Sequence, residues 1–307
     1  MTIKPIIERS GGYTGDILSG IGYMAISTFM RKEIKFMLNM EQYEALLEEI
    51  HKYMDPDKFC IGGKDYGIYN LYYDTPDDYL IRTSLEKPYY KEKIRLRSYY
   101  SPASPNDKVF LEIKKKVGGI VTKRRVTMTL AESDAYLLQR QKPVDLSKYL
   151  QKQIFSELDV FLDNYPIAPK QYISYQRSAF FGKDDPDFRL TFDRQITERR
   201  YDLSLGLPSY GAQIIAPNQR LMEVKIAGAM PLWLSQKLAE LKIYKISFSK
   251  YGRAYQRFIR NKLYLEGHFH HEEEADSTPA RPIIQKTNNA NANGNYYRKT
   301  AGGIMLP

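Results

Sequence analysis

Residues 92–100, EKIRLRSYY, and 109–116, VFLEIKKK, each hold a core that alternates between charged and apolar side chains, KIRLR and LEIK. Side chains on a β-strand point to opposite faces with period two. Each stretch is therefore a strand with one charged and one apolar face. The first sets Lys93, Arg95, Arg97 and Tyr99 against Ile94 and Leu96; the second sets Glu112, Lys114 and Lys116 against Leu111 and Ile113. Like charges opposite one another destabilise a sheet, so a surface built from such rows needs a reason. Further strands are read at 29–38, 66–76, 120–130, 171–182, 188–197 and 220–228, and nearly every strand has one apolar and one charged face. Strands this regular predict an antiparallel sheet closed into an eight-stranded β-barrel.

Between the strands lie segments with helical spacing: 41–53, 131–141, 147–163, 231–242 and 247–265, with a shorter one at 77–88. The class is α+β, with peripheral helices. Asn39 caps the first helix; Ser133 and Ser147 stand near the starts of two others, and Pro231 opens a further one. Gly118–Gly119 reads as a hairpin turn, and KDDPD at 183–187 turns the next pair of strands. Trp233 reads as a helix anchor on the outer sheet.

The alternation does not say which face is inside. Charged faces of antiparallel sheets usually point to water. Here, however, they are dominated by cations: Lys35, Arg95, Arg97, Lys114, Lys123, Arg125, Arg177, Arg189 and Lys225, opposed only by Glu33, Glu112, Asp193 and Glu223. Unpaired buried charge is very costly. A barrel with that interior would be a wet tunnel for a polyanion, where Arg forks and Lys point charges meet phosphate oxygens.

Charge points the same way. The chain carries 46 Lys+Arg against 36 Asp+Glu, a net +10, which suits an anionic partner. Aromatic side chains fall mainly on the apolar faces, so no nucleic-acid partner is expected. One cysteine, Cys60, excludes a disulfide framework and a cysteine metal site, and fits a reducing compartment. No apolar run is long enough for a spanning helix, and no signal peptide is visible. Residues 1–28 read as a partly ordered leader with a short helix near 16–27, 29–265 as the tunnel domain, and 266–307 as a disordered tail. HFHHEEE at 268–274 reads as part of that tail rather than a metal site. GGYTGDILSGIG lacks the Gly-Lys-Ser/Thr ending of a phosphate loop.

The motifs RLR at 95–97, EIK at 112–114, YQRSAF at 175–180, RLTFD at 189–193, MEVK at 222–225 and SFSKYG at 247–252 occur in this order. Together with NLYYDTPD they resemble the catalytic domain of the vacuolar transporter chaperone (VTC) polyphosphate polymerases, within the triphosphate tunnel metalloenzyme, or CYTH-like, superfamily. The resemblance covers roughly residues 29–262 and implies an eight-stranded tunnel lined by basic residues. It implies phosphate ligands at Lys35, Arg95, Arg97 and Lys114, with Arg177 and Arg189 holding the terminal phosphates. It implies further basic positions at Lys123, Arg125 and Lys225, a metal carboxylate at Glu223 and a rim lysine at Lys250. Of these, Lys35, Arg177, Arg189 and Lys114 are the expected catalytic set.

The implied reaction moves the γ-phosphate of ATP onto a growing polyphosphate chain, with Mn²⁺ or Mg²⁺ bridging phosphates. The implied location is cytoplasmic, with peripheral attachment at the inner face of a membrane and a separate membrane-channel partner as the alternative. Two positions depart from the pattern. Arg31 stands where the hydrolase branch has the first of its paired glutamates, which favours the polymerase. Ser247 stands where the polymerases have lysine, with Lys245 as the nearest substitute. A tripolyphosphate or nucleoside triphosphate hydrolase, or a non-catalytic polyphosphate-binding domain, would use the same surface.

Overall fold

The structure, a computed structural model, describes residues 32–60, 63–143 and 149–266. The leader helix expected near 16–27, Arg31, Ser147 and HFHHEEE lie outside the described residues. Eight long strands occupy the alternating stretches: β1 (Lys32–Leu38), β3 (Tyr66–Asp74), β4 (Tyr90–Ser98), β5 (Lys108–Val117), β6 (Ile120–Thr129), β7 (Ala168–Gly182), β8 (Arg189–Arg199) and β10 (Arg220–Ile226). Three short ones, β2 (Met54–Pro56), β9 (Ala212–Gln213) and β11 (Lys245–Ile246), join the same sheet. The order is β11-β1-β10-β8-β7-β3-β4-β5-β6, with β2 beside β7 and β9 beside β8.

Every pairing is antiparallel. Gly118 and Gly119 turn β5 into β6 with φ of +53° and +92°, backbone that favours glycine. Among the described residues the hydrogen-bonded path is open, running from β11 to β6, so the expected barrel closure is not present in the ladder.

The sheet nevertheless curls about its charged face. On a flat sheet β1 and β4 would sit about 24 Å apart, five strand spacings, well beyond the ~8–10 Å reach of screened charge. Yet Lys35 on β1 is among the charges acting on Lys93 of β4, and Lys114 of β5 acts on Glu33 of β1.

Helices cover the convex, apolar side in two groups. Leu46 and Ile50 of α1 (Met40–Tyr53) and Leu234 and Leu238 of α5 (Leu232–Glu240) pack on Phe36, Leu38, Leu190, Met222 and Val224. Tyr136 of α3 (Leu130–Gln139) and Phe155, Leu158 and Phe161 of α4 (Tyr149–Asn164) pack on Leu96, Leu111, Ile113 and Val126. Trp233 stacks on Tyr53 at 4.7 Å and meets Phe188 edge-on, on this outer side. Asn39 closes a capping box with Gln42. The cap of α3 is Thr129, with Glu132 completing the box, rather than Ser133, which hydrogen-bonds back to Leu130.

One helix departs from the expected outer layer. α6 (Lys250–Leu265) lies on the concave side together with α2 (Tyr79–Leu85). The reason is local. At that end the inward positions of β3, β7 and β10 are apolar: Ile68, Tyr72, Ile173, Tyr175 and Leu221. Tyr251, Ala254 and Tyr255 of α6 and Ile81 of α2 bury them. The concave face is thus an apolar floor at one end and a charged surface beyond it.

Candidate functional site

Strand register puts every basic residue expected from the sequence, except Lys250 on α6, on that one concave face. Lys35 lies opposite Glu223, and Glu33 opposite Lys225. Glu223 pairs with Thr191, and Lys225 with Arg189. Arg177 pairs with Asp193. Across the sheet, Arg95 faces Glu112 and Lys93 faces Lys114, while Glu112 faces Arg125 and Lys114 faces Lys123. Partners directly opposite in a ladder share a face, so the rows are continuous.

The first cluster holds three carboxylates and three cations. Arg177 grips Asp193 with both arms of its guanidinium, at 2.6 and 2.7 Å. Its Nη2 also lies 3.5 Å from Glu223 Oε2. Lys250 Nζ sits between Asp193 Oδ2 at 2.5 Å and Glu223 Oε1 at 3.0 Å. Lys35 Nζ lies 3.2 Å from Glu33 Oε1 and 3.3 Å from Glu223 Oε1. Lys250 is therefore buried at the junction with the apolar floor, not at an exposed rim. It occupies the first turn of a helix, where the macrodipole disfavours a cation, and the two carboxylates offset that. Burial pushes Lys250 down, but Asp193 and Glu223 outweigh it and hold the ammonium above its ordinary value. Burial likewise opposes ionisation of Glu223, yet Lys250, Lys35 and Arg177 keep its carboxyl well below the usual range.

One rung further, Arg189 Nη2 reaches Asp57 Oδ2 at 3.2 Å, while its Nε has no hydrogen-bond partner. Thr191 Oγ1, between Glu223 and Ala179 in the ladder, is buried and equally orphaned. Buried polar groups are nearly always hydrogen-bonded, so these two lack an expected partner. Lys225 beside them has no ion pair; burial, more than Glu223 and Glu33 can offset, lowers its pKa.

The second cluster gathers three cations on one carboxylate. Glu112 lies 2.7 Å from Arg95 Nε, 2.5 Å from Lys123 Nζ and 3.8 Å from Arg97. Arg95 also donates to the Tyr72 hydroxyl at 2.9 Å, and Arg97 to Asn70 Oδ1 at 3.0 Å. Because one carboxylate serves three cations, burial and the two guanidiniums win at Lys123, whose pKa falls to about 8 despite Glu112. Arg125 lies over the Phe110 ring at 5.0 Å.

A third group has no carboxylate at ion-pair distance among the described residues. Lys91 faces Lys116 and Lys93 faces Lys114 directly across β4 and β5. Burial, then Lys91 and Lys114, push Lys93 down to about 7. The Tyr251 ring lies 5.6 Å from its ammonium.

The expected catalytic four are thus split. Lys35 and Arg177 touch one cluster, Arg189 is a rung away, and Lys114 stands exposed on the opposite wall. Lys245 is no substitute for the lysine absent at 247: it pairs with outward-facing Phe36, and Ile246 takes the inward place opposite Lys35. Sequence reasoning named Asp193 and Glu112 only as charges opposing the cations and gave Lys93 no site role, although all three sit at inward positions of the alternation. Asp57, which lies outside the alternating strands, and Tyr72, which looks like a core aromatic, carried no such signal.

The site is a set of basic clusters on the concave face of a curled antiparallel sheet. The VTC domain family matches residues 30–259, three-quarters of the chain, and the chain belongs to that family. Among curated proteins none matches. Solved structures similar to it include a candidate adenylate cyclase from Bacillus halodurans, at 14% identity and TM-score 0.43, covering 72% of this chain and 95% of that one. Another is a candidate adenylyl cyclase from Hippeastrum described as having dominant triphosphatase activity. It shares 15% identity and a TM-score of 0.44, covering 74% of this chain and 96% of that one. Among the described residues, no helix is long and apolar enough to cross a membrane.

Proposed function

We propose that this chain is a VTC-type polyphosphate polymerase that transfers the γ-phosphoryl group of ATP to the end of a polyphosphate chain, its curled sheet working as a tunnel. The observation that carries this reading is the orphaned Arg189 Nε and Thr191 Oγ1 beside the Arg177–Glu223–Lys35 cluster. Both are buried polar atoms without a hydrogen-bond partner, which phosphate oxygens could supply. Family membership supports phosphate chemistry on this face.

Phosphoryl transfer needs positioning and charge neutralisation more than a covalent nucleophile. In this reading Arg177, Arg189 and Lys35 hold the γ-phosphoryl oxygens, and Lys225 and Lys250 reinforce them. Arg95, Arg97, Lys114, Lys123 and Arg125 hold the acceptor polyphosphate on the opposite wall. A terminal phosphate oxygen forms the new bond to Pγ as the bond from Pγ to the β-bridging oxygen breaks, and ADP leaves with that electron pair. Asp193 keeps Arg177 extended and in register for this.

A divalent cation fits the donors present. The Glu33 and Glu223 carboxylates already converge on one cationic centre, the Lys35 ammonium. Among the described residues no three His, Cys, Asp or Glu side chains form a metal cage, so Mn²⁺ or Mg²⁺ held by Glu223 and Glu33 would complete its shell with substrate oxygens, as hard cations do. Bound there it would supply charge neutralisation between phosphates.

The test is to incubate the protein with ATP and Mn²⁺ or Mg²⁺ and resolve ADP, phosphate and polyphosphate, beside Arg177→Ala, Glu223→Ala and the less buried Arg189→Ala. Polyphosphate with ADP, lost in all three, is expected. ADP with free phosphate and no polymer would make the protein a hydrolase. Polyphosphate binding without turnover would make it a binding domain.

A further inference from the structure

The β5–β6 hairpin ends in an apolar tip. Val117, Ile120 and Val121 flank its two glycines, and Tyr89 and Tyr90 stand beside them; all five are between 42% and 76% exposed. They are contiguous: Val117 pairs with both Tyr90 and Ile120. The tip is held in shape, because Gly118 N–H donates to the Tyr89 carbonyl at 2.9 Å, and a Cβ on Gly118 would meet the Tyr89 ring at 3.0 Å. Single exposed apolar residues need no explanation, but a contiguous group does.

Around this tip lysines outnumber carboxylates: buried Glu92 accepts from the Tyr90 hydroxyl at 2.8 Å, and exposed Glu86 stands next to Lys87. Lys116 pairs with Val121 and with Lys91, and Lys87 lies close by. Burial, then Lys116, Lys87 and Lys114, lower the Lys91 pKa. No carboxylate pairs with Lys87, Lys91 or Lys116 among the described residues. Acidic Glu157 engages only Lys115 and Arg124, on the convex side.

We propose that this hairpin tip inserts into the surface of an anionic lipid bilayer. A hairpin tip is a small apolar projection, which a fluid interface accommodates. Tyrosine at such a boundary places its ring among acyl chains and its hydroxyl in water. Flexible lysines suit a diffuse layer of lipid phosphates and carboxylates, to which each adds about 1 kcal/mol. So docked, the lysine rungs of β4 and β5 run from the bilayer surface towards the concave face. The inference rests on surface residues alone and stands whether or not the phosphoryl-transfer reading does.

The test is sedimentation of the full chain with vesicles of equal parts phosphatidylcholine and phosphatidylserine, against phosphatidylcholine alone. Binding to the anionic vesicles only, weakened by salt, is expected. Tyr89→Ser with Ile120→Ser should lower it at least about tenfold. Lys87→Gln with Lys116→Gln should lower it roughly thirtyfold. Both pairs should leave the far-ultraviolet dichroism unchanged, and Tyr89→Ser with Ile120→Ser should leave solution activity unchanged as well. No binding, equal binding to both vesicles, or binding indifferent to Tyr89→Ser with Ile120→Ser overturns the proposal. Loss of binding in Arg189→Ala but not in the tip variants would mean that the concave site captures headgroups, and also overturns it. So would self-association abolished by the tip variants without vesicle binding, which would make the tip a contact between copies.

Discussion

The two walls of the concave face are charged by opposite rules. On the β1–β10–β8–β7 wall, Glu33, Asp193 and Glu223 balance Lys35, Arg177 and Lys250, while Lys225 on β10 has no ion pair among the described residues. On the β4–β5 wall, Lys91, Lys93, Lys114 and Lys116 stand in two rungs with no ion pair, and Glu112 alone serves Arg95, Arg97 and Lys123. The balanced wall is pre-organised: its cations are held in fixed directions by carboxylates before substrate arrives. The unbalanced wall is an electrostatic field, under strain until an anion fills it. One suits chemistry on a single phosphoryl group; the other suits holding a long, repetitive polyanion.

The largest way to break the balanced wall is Asp193→Ala. It leaves buried Arg177 and Lys250, together with Lys35, to share Glu223, and removing one partner from a buried pair costs about 3–5 kcal/mol. A fall in thermal midpoint far beyond that of any lysine variant on the other wall is expected; an unchanged midpoint would mean that the carboxylates are not structural.

On the unbalanced wall the result should invert. Lys93→Met with Lys114→Met should weaken polyphosphate binding by about ten- to a hundredfold, the loss of charge-assisted contacts, and flatten its salt dependence. The melting temperature at neutral pH should hold or rise. A large loss of stability instead would erase the distinction between the walls.

Titration sharpens it further. Lys93 is held near 7, against 10.5 for an ordinary lysine. Between those values the unfolded chain binds a proton that the folded chain does not, so stability rises with pH across that window. The rise should disappear in Lys93→Met, as read by denaturant melts. Asp193 and Glu223, with folded pKa values lowered, act in the opposite window: their contribution is complete above the ordinary carboxylate range and is lost as pH falls through the folded values. An anion beside Lys93 favours its charged form. Polyphosphate binding near about pH 8 should therefore take up a proton, visible as a buffer-dependent binding enthalpy that Lys93→Met removes.

The smallest effect lies outside both walls. Asn39→Ala removes the cap of α1 and should cost about 1 kcal/mol with no change in phosphate chemistry. A loss of activity there would show that the outer layer, not the concave charge, controls the site.

Much of this was legible in the residues. Period-two alternation located the eight long strands and sorted Lys35, Arg95, Arg177, Arg189 and Glu223 onto common faces, because a pleated strand leaves its side chains no other choice. Apolar spacing located the helices, and Gly118–Gly119 marked the hairpin. Alternation is the same whether a charged face looks inward or outward, so the direction of curl was decided only by the assembled sheet. So was the position of α6, drawn to the concave side by apolar residues contributed by three separate strands. The ion pairs that distinguish the two walls join Lys250 to Asp193 and Arg189 to Asp57, residues far apart in the chain. Local pattern constrains which way a side chain points; only the closed tertiary packing determines what it meets there.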